Sequence, residues 1–181
     1  MSKKLELKDF IYSALCTAII IVLGLIAVPL PFSPVPVTGQ TLGVMLAGSI
    51  LTVRQAILSI STFLLLGIVG APVFAGGTGG PGIIAGPRGG YLIGFLVGAV
   101  VIAFLKGKNN KILRLVLANA MGGIAIIYFF GILWLSYVTK VGISQAFTIG
   151  ALPYLPGDIF KVIIASVLAV KLNPHLRRQA G

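Results

Sequence analysis

Six long apolar stretches follow one another along the chain, and glycine, proline or charged residues separate them. An apolar run of about 20 residues is long enough to cross a bilayer as one helix. The pattern predicts six membrane-spanning helices, at approximately 10–30, 38–53, 55–71, 89–105, 114–138 and 152–171. The second range is short and the fifth is long, so we expect the tilts of these two helices to differ.

The composition agrees with a membrane protein. Of the 181 residues, 57% are hydrophobic and only 9% are charged, whereas a soluble domain carries about 25% charged residues. Six helices use most of the chain and leave no room for a soluble catalytic domain. We therefore predict an all-α integral membrane protein, with residues 1–181 forming a single transmembrane domain.

The basic residues predict an orientation. Eleven of the fourteen fall on one side of a six-span topology, in the two termini and in the second and fourth connections. They are Lys3, Lys4, Lys8, Arg54, Lys106, Lys108, Lys111, Arg114, Lys171, Arg177 and Arg178. Arg88 and Lys140 fall on the other side, and Lys161 lies within the sixth span. Because basic loops remain in the cytoplasm, we expect both termini to be cytoplasmic.

Two connections on the predicted outer side differ from ordinary solvated loops. Residues 29–40 contain four prolines and no charge, which predicts a stiff, extended segment. Residues 71–90 contain eight glycines and three prolines, so this segment is too broken for a helix. Non-helical backbone at membrane depth is tolerated where it is buried in protein or lines a cavity. We therefore expect the glycine-rich outer loop to cap a ligand pocket.

The sixth apolar stretch contains two charges, within the sequence PGDIFK at 156–161. A charged residue at the centre of a span costs about 2.5–3.5 kcal/mol. Pro156 and Gly157 mark a helix start, where the helix dipole favours the anion of Asp158. Lys161 follows three residues later and shares its face. The pair is either a structural ion pair that closes the bundle or a polar ligand site, and we favour the ligand site.

Residues for catalysis or metal binding are scarce. No second intramembrane acid accompanies Asp158, as an aspartyl protease requires, and the single histidine, His175, lies in the predicted cytoplasmic tail. One cysteine and one histidine do not make a zinc site. Gly107-Lys108 is followed by Asn109 and lacks the phosphate-binding loop pattern. We therefore predict no enzyme, no cofactor and no metal, and the short basic clusters do not indicate nucleic-acid binding.

Four motifs in this order resemble the BioY family, and together they span nearly the whole chain. They are PVPVTGQTLG at 34–43, FAGGTGGPG at 74–82, GPRGGYLIGF at 86–95 and PGDIFK at 156–161. The family comprises the biotin-binding S components of energy-coupling factor (ECF) transporters. The resemblance implies a six-helix bundle in a prokaryotic plasma membrane that captures biotin from outside. It also implies a transmembrane coupling protein and two ATPase subunits as partners.

The resemblance also assigns biotin-binding residues. Asp158 and Lys161 match the family's pair on the sixth helix, and Thr78 falls in or next to a loop position that supplies a polar contact. Gln40, in the first motif, is a further predicted biotin-binding residue. Two further residues on the motifs, Phe74 and Tyr91, would pack on the rings of the ligand, or are ordinary core residues or lipid-interface anchors.

Two alanines on the first predicted helix, Ala14 and Ala18, form a small-xxx-small pair that lets a partner helix approach closely. They match the family's docking motif for the coupling protein. Arg88 departs from the GPTGGY pattern that we expect in this family, so the resemblance assigns it no role.

The chemistry of biotin suits the charged pair. Its ureido ring carries two N–H donors and a carbonyl, and its tail ends in a carboxylate. Asp158 can accept from a ureido N–H, and Lys161 can donate either to the ureido oxygen or to the tail carboxylate. Capture of another vitamin, such as thiamine or riboflavin, is the near alternative, and a membrane scaffold is the distant one.

Overall fold

The computed structural model describes residues 6–107 and 111–178 of the chain, and in these ranges the fold is predominantly helical. In chain order the elements are α1 (Leu7–Leu25), β1 (Ala27–Leu30), β2 (Ser33–Thr38), α2 (Gln40–Ile50), α3 (Val53–Ile68), α4 (Pro81–Ala85), α5 (Gly89–Leu105), α6 (Ile112–Ala120), a π-helical segment (Met121–Ile126), α7 (Ile127–Thr139), α8 (Ile143–Gly150) and α9 (Leu155–Arg178). The α6 helix, the π-helical segment and α7 are continuous.

The outer surface of the bundle is apolar. Val22 is 62% exposed on α1, Leu65 is 61% exposed on α3, and Phe129 is 57% exposed on α7. Large apolar side chains exposed on several helices are typical of a surface that contacts a membrane. Within the described residues, two helices, Leu7–Leu25 and Ile112–Thr139, are long and apolar enough to cross a membrane.

Helix α5 lies at the centre of the bundle and packs against α2, α3 and α7. Its glycines allow backbones to touch: a Cβ added to Gly98 would lie 2.4 Å from the carbonyl oxygen of Gly122 in the π-helical segment. In lipid, where hydrophobic association between helices is weak, such close packing contributes to helix association.

The predicted first span, 10–30, is too long at its C-terminal end. Helix α1 ends at Leu25, and Ile26 has an extended conformation with φ −84° and ψ 107°. Strands β1 and β2 then pair antiparallel as a hairpin. Pro29 cannot donate the hydrogen bond that would continue the helix. The extended conformation predicted for 29–40 is present as far as residue 38, but its hairpin pairing was not predicted.

Other helices differ from the predicted ranges at their ends. The range 89–105 coincides with α5. The ranges 38–53, 55–71, 114–138 and 152–171 differ from α2, α3, α6–α7 and α9 by one to seven residues at each end. The short helices α4 and α8 were not predicted. The expectation that the glycine-rich segment contains no helix is wrong for α4, which begins with Pro81. Proline is tolerated there because the first N–H of a helix has no intrahelical partner.

Candidate ligand-binding site

A cavity opens beside the start of α9. It encloses about 620 Å³ of empty space, a figure that includes the open space at its mouth. The wall is built from the β-hairpin, α2, the glycine-rich segment, α5, α7, α8 and α9. Apolar and aromatic side chains cover most of it, and among the described residues the charged groups on the wall are Arg88, Asp158 and Lys161.

Asp158 lies in the first turn of α9, and its side chain is only 3% exposed. Its Oδ1 lies 2.8 Å from Nζ of Lys161 and accepts a hydrogen bond from Thr41 at 3.1 Å. Its Oδ2 accepts a hydrogen bond from the Tyr128 hydroxyl. Donors from three helices, together with the helix dipole, stabilise the buried carboxylate.

Lys161 uses its whole hydrogen-bonding capacity within the protein. Its Nζ donates to Oδ1 of Asp158 at 2.8 Å, to the carbonyl of Thr38 at 2.8 Å and to Oγ1 of Thr41 at 2.9 Å. An ammonium group has three protons, and each has an acceptor here. The structure therefore brings Asp158 and Lys161 together on one face of α9, as their spacing predicts.

Phe74 and Tyr91 contribute to the cavity wall and to the core at the same time. Their exposures are 1% and 8%, so neither is a lipid-interface anchor. The ring of Phe74 packs edge-on against Phe63, with centroids 5.4 Å apart. The hydroxyl of Tyr91 donates to the carbonyl of Gly150 at 2.8 Å. Both rings are therefore held in place at the cavity.

Gln40 and Thr78 differ in their relation to the cavity. Gln40 lines it and is 3% exposed, and its side-chain amide donates to the carbonyl of Val73 at 3.2 Å. Thr78 does not line the cavity, and its hydroxyl donates to the carbonyl of Ala75 at 3.0 Å. Thr78 also pairs with Phe74 in an isolated β-bridge. It therefore supports the turn that presents Phe74 and Ala75 to the cavity.

The glycine-rich segment forms one side of the cavity through Phe74, Ala75 and Ile83. Gly77 has φ +70°, a left-handed conformation that disfavours other residues. Gly79 meets a different constraint, because a Cβ there would lie 2.2 Å from the carbonyl oxygen of Ala71. Positive φ and close backbone contact together explain the concentration of glycine in this segment.

Sequence reasoning missed Thr41, Tyr128 and Tyr154 on the cavity wall. Thr41 follows Gln40 in the first motif and was available as a polar residue at a helix start. The two tyrosines lie in apolar stretches and carried no such signal. Tyr154 hydrogen-bonds to the Ser33 hydroxyl at 2.8 Å, which fastens the β-hairpin beside the cavity.

The π-helical segment contributes to the placement of Tyr128. In a regular α-helix with about 3.6 residues per turn, the step from Asn119 to Tyr128 would make about 2.5 turns and put the two side chains on opposite sides. A π-helix holds more residues per turn, and this changes the phase. Both side chains consequently reach α9, where Asn119 donates to Ser166 at 3.0 Å and Tyr128 donates to Asp158.

Ala14 and Ala18 are separate from the cavity. Both are exposed on α1 and neither lines the cavity. Among the described residues, no group of three His, Cys, Asp or Glu side chains is arranged to hold a metal ion.

Comparisons with known proteins identify the family. A sequence model of the BioY family matches residues 1–178. The biotin transporter BioY of Rhizobium etli is 39% identical over 170 residues, covering 89% of this chain and 90% of that protein. The probable biotin transporter BioY of Bacillus subtilis is 41% identical over 175 residues, covering 95% and 94%.

The fold agrees with this assignment. A crystal structure of the S-component for biotin from an ECF-type ABC transporter superposes with a TM-score of 0.86. It is 33% identical in sequence, and the match covers 96% of this chain and 95% of the other. Since the family match, the relatives and the structural likeness all extend over most of the chain, the protein belongs to the BioY family.

Proposed function

We propose that this protein captures biotin from outside the cell and delivers it as the S component of an ECF-type ABC transporter. The observation that carries the proposal is the buried pair Asp158–Lys161 on the wall of a mostly apolar cavity. The names of the relatives and of the solved S-component support biotin as the ligand. The family consists of transport proteins, and the chain is not an enzyme.

The energetics of the ion pair favour a ligand site over a role in closing the bundle. Taking two charges out of water offsets most of their mutual attraction, so a buried ion pair contributes little net stability. A carboxylate has about four acceptor positions, and Asp158 uses three of them within the protein. The remaining position, on Oδ2, accepts a ureido N–H of biotin, while Phe74 and Tyr91 pack on its rings.

The proposed membrane topology has six spans in the plasma membrane and both termini in the cytoplasm. Nζ of Lys106 donates to the carbonyl of Leu51, so the second and fourth connections meet at one end of the bundle. This is the basic end, which the positive-inside rule places in the cytoplasm. Lys3, Lys4 and Lys108 lie outside the described residues, as do the side chains of Arg177 and Arg178.

Direct titration of the purified protein with biotin tests the function. We expect saturable binding of biotin and weaker or no binding of thiamine and riboflavin in parallel titrations. Preferential binding of either of those vitamins would reassign the substrate. No binding of any of the three by folded protein would favour the scaffold alternative.

The partners in this proposal are a transmembrane coupling protein and two ATPase subunits, which consume the ATP. Ala14 and Ala18 form the proposed docking surface, because both are small, exposed and one turn apart on α1. Replacing both by Trp is expected to preserve biotin affinity but to abolish co-purification with the coupling complex and ATP-driven uptake.

The matched control replaces Phe129 and Leu133, which are exposed and also one turn apart on α7. This Trp pair is expected to leave both docking and uptake intact. Loss of biotin affinity in the variant with Ala14→Trp and Ala18→Trp would show that these alanines are needed for the packing of the bundle. Full uptake by that variant would refute the docking surface.

A further inference from the structure

Arg88 is a second cation on the cavity wall, separate from the Asp158–Lys161 pair. It immediately precedes α5 and is half-buried, and its Nε donates to the carbonyl of Pro34 in the β-hairpin at 3.3 Å. Within the described residues, its two terminal nitrogens have no hydrogen-bond partner. A guanidinium presents its donors as a planar fork that matches the two oxygens of a carboxylate.

Lys161, the other cation on the wall, is poorly suited to bind a ligand carboxylate. All three of its protons already have acceptors within 2.9 Å. A second carboxylate at Nζ would also lie close to the charge of Asp158, which is 2.8 Å away, and like charges repel. The Asp158–Lys161 pair is neutral as a unit, so the uncompensated positive charge on the wall belongs to Arg88.

We propose that Arg88 binds the carboxylate at the tail of the ligand, while the Asp158–Lys161 pair holds the polar ring. This inference rests on the proposed function and names the residue that selects an anionic tail over a neutral one. The competing role for Arg88 is purely structural, as a link between α5 and the β-hairpin through Pro34. The two roles differ in how they depend on the charge of the ligand.

The experiment compares biotin with biotin amide, in which the tail carboxylate is replaced by a neutral amide. Both compounds are titrated against the wild type, Arg88→Gln and Arg88→Lys. We expect Arg88→Gln to weaken biotin binding by about 10-fold to 100-fold, the range for a charge-assisted hydrogen bond at a partly solvated site. Biotin amide binding should change by less than about 3-fold, and Arg88→Lys should recover part of the loss for biotin.

Lys140 provides a matched control, since it is an exposed cation that does not line the cavity. Lys140→Gln is expected to leave both affinities unchanged. Equal weakening of biotin and biotin amide in Arg88→Gln would show that Arg88 only holds the hairpin, and unchanged affinities would overturn the proposal as well. In both cases biotin capture itself would stand, whereas a wild type that binds neither compound would remove both proposals.

Discussion

Two polar clusters lie along α9, and they differ in what surrounds them. The cavity cluster consists of Thr41, Tyr128, Asp158 and Lys161, and all four side chains line the open cavity. The packed cluster consists of Ser49, Asn119 and Ser166, each with 0% exposure and none of them on the cavity wall. Both clusters draw their residues from α2, the continuous α6–α7 helix and α9.

The packed cluster carries no charge, and its polar side chains form hydrogen bonds with one another and with the backbone. Ser49 donates to Oδ1 of Asn119 at 3.0 Å, Asn119 donates to Ser166 at 3.0 Å, and Ser166 donates to the carbonyl of Val162 at 2.7 Å. Such hydrogen bonds between helices stabilise a bundle in lipid at a modest energy each. The cavity cluster instead carries charges and faces space that a ligand can occupy. We infer that the packed cluster fixes the spacing of the helices, and we propose that the cavity cluster recognises the ligand.

The largest effect is expected for Asp158→Ala in the cavity cluster. Biotin affinity should fall by about 2–4 kcal/mol, or about 30-fold to 900-fold, because Lys161 and the ligand lose their buried anionic partner. Calorimetric titration measures the loss, and thermal unfolding followed by Trp134 fluorescence checks the fold. Asp158→Asn keeps the shape of the side chain, so it controls for an affinity loss caused only by the empty space that alanine leaves. Wild-type affinity in both folded variants would refute the site assignment.

The reverse behaviour is expected for Asn119→Leu in the packed cluster. The free energy of unfolding should fall by about 1–3 kcal/mol, because Ser49 and Ser166 lose their buried partner. Biotin affinity of the folded protein should change by less than about 3-fold. An affinity loss as large as that of Asp158→Ala would abolish the distinction between the two clusters.

A smaller effect on affinity is expected for Tyr128→Phe. This change removes one donor to Asp158 and should weaken biotin binding by about 1 kcal/mol, or about 5-fold. Tyr91→Phe is the matched control, since it removes a hydroxyl that bonds to the carbonyl of Gly150 rather than to the ion pair. Competition binding with labelled biotin compares the two variants. Equal losses of biotin affinity in the two variants would mean that both hydroxyls affect binding only through the packing of the cavity wall.

The smallest effect is expected for Thr78→Val. The Thr78 hydroxyl bonds to the carbonyl of Ala75 and is absent from the cavity wall, so affinity should change by less than about 0.5 kcal/mol. The same competition assay measures it. A loss of tenfold or more would place Thr78 among the ligand contacts that the family resemblance implies.

The pairing of Asp158 with Lys161 was predictable because a helix brings residues three apart onto one face. The other members of the cavity cluster were not predictable in this way. Thr41 is 117 residues from Asp158 in the chain, and Tyr128 is 30 residues from it. No local pattern connects such distant positions. Because the π-helical segment changes the phase of the helix, regular α-helical spacing also predicts the wrong face for Tyr128.

Composition and short-range periodicity are enough to predict the membrane class, the order of the apolar helices and the positions of the charges along the chain. Three other features depend on how the helices pack: α1 gives way to a hairpin, Thr78 does not line the cavity, and all three protons of Lys161 have acceptors within the protein. Packing also leaves the terminal nitrogens of Arg88, at the cavity wall, without a hydrogen-bond partner among the described residues. These properties depend on distances between segments remote in sequence, which are established only when the helices pack.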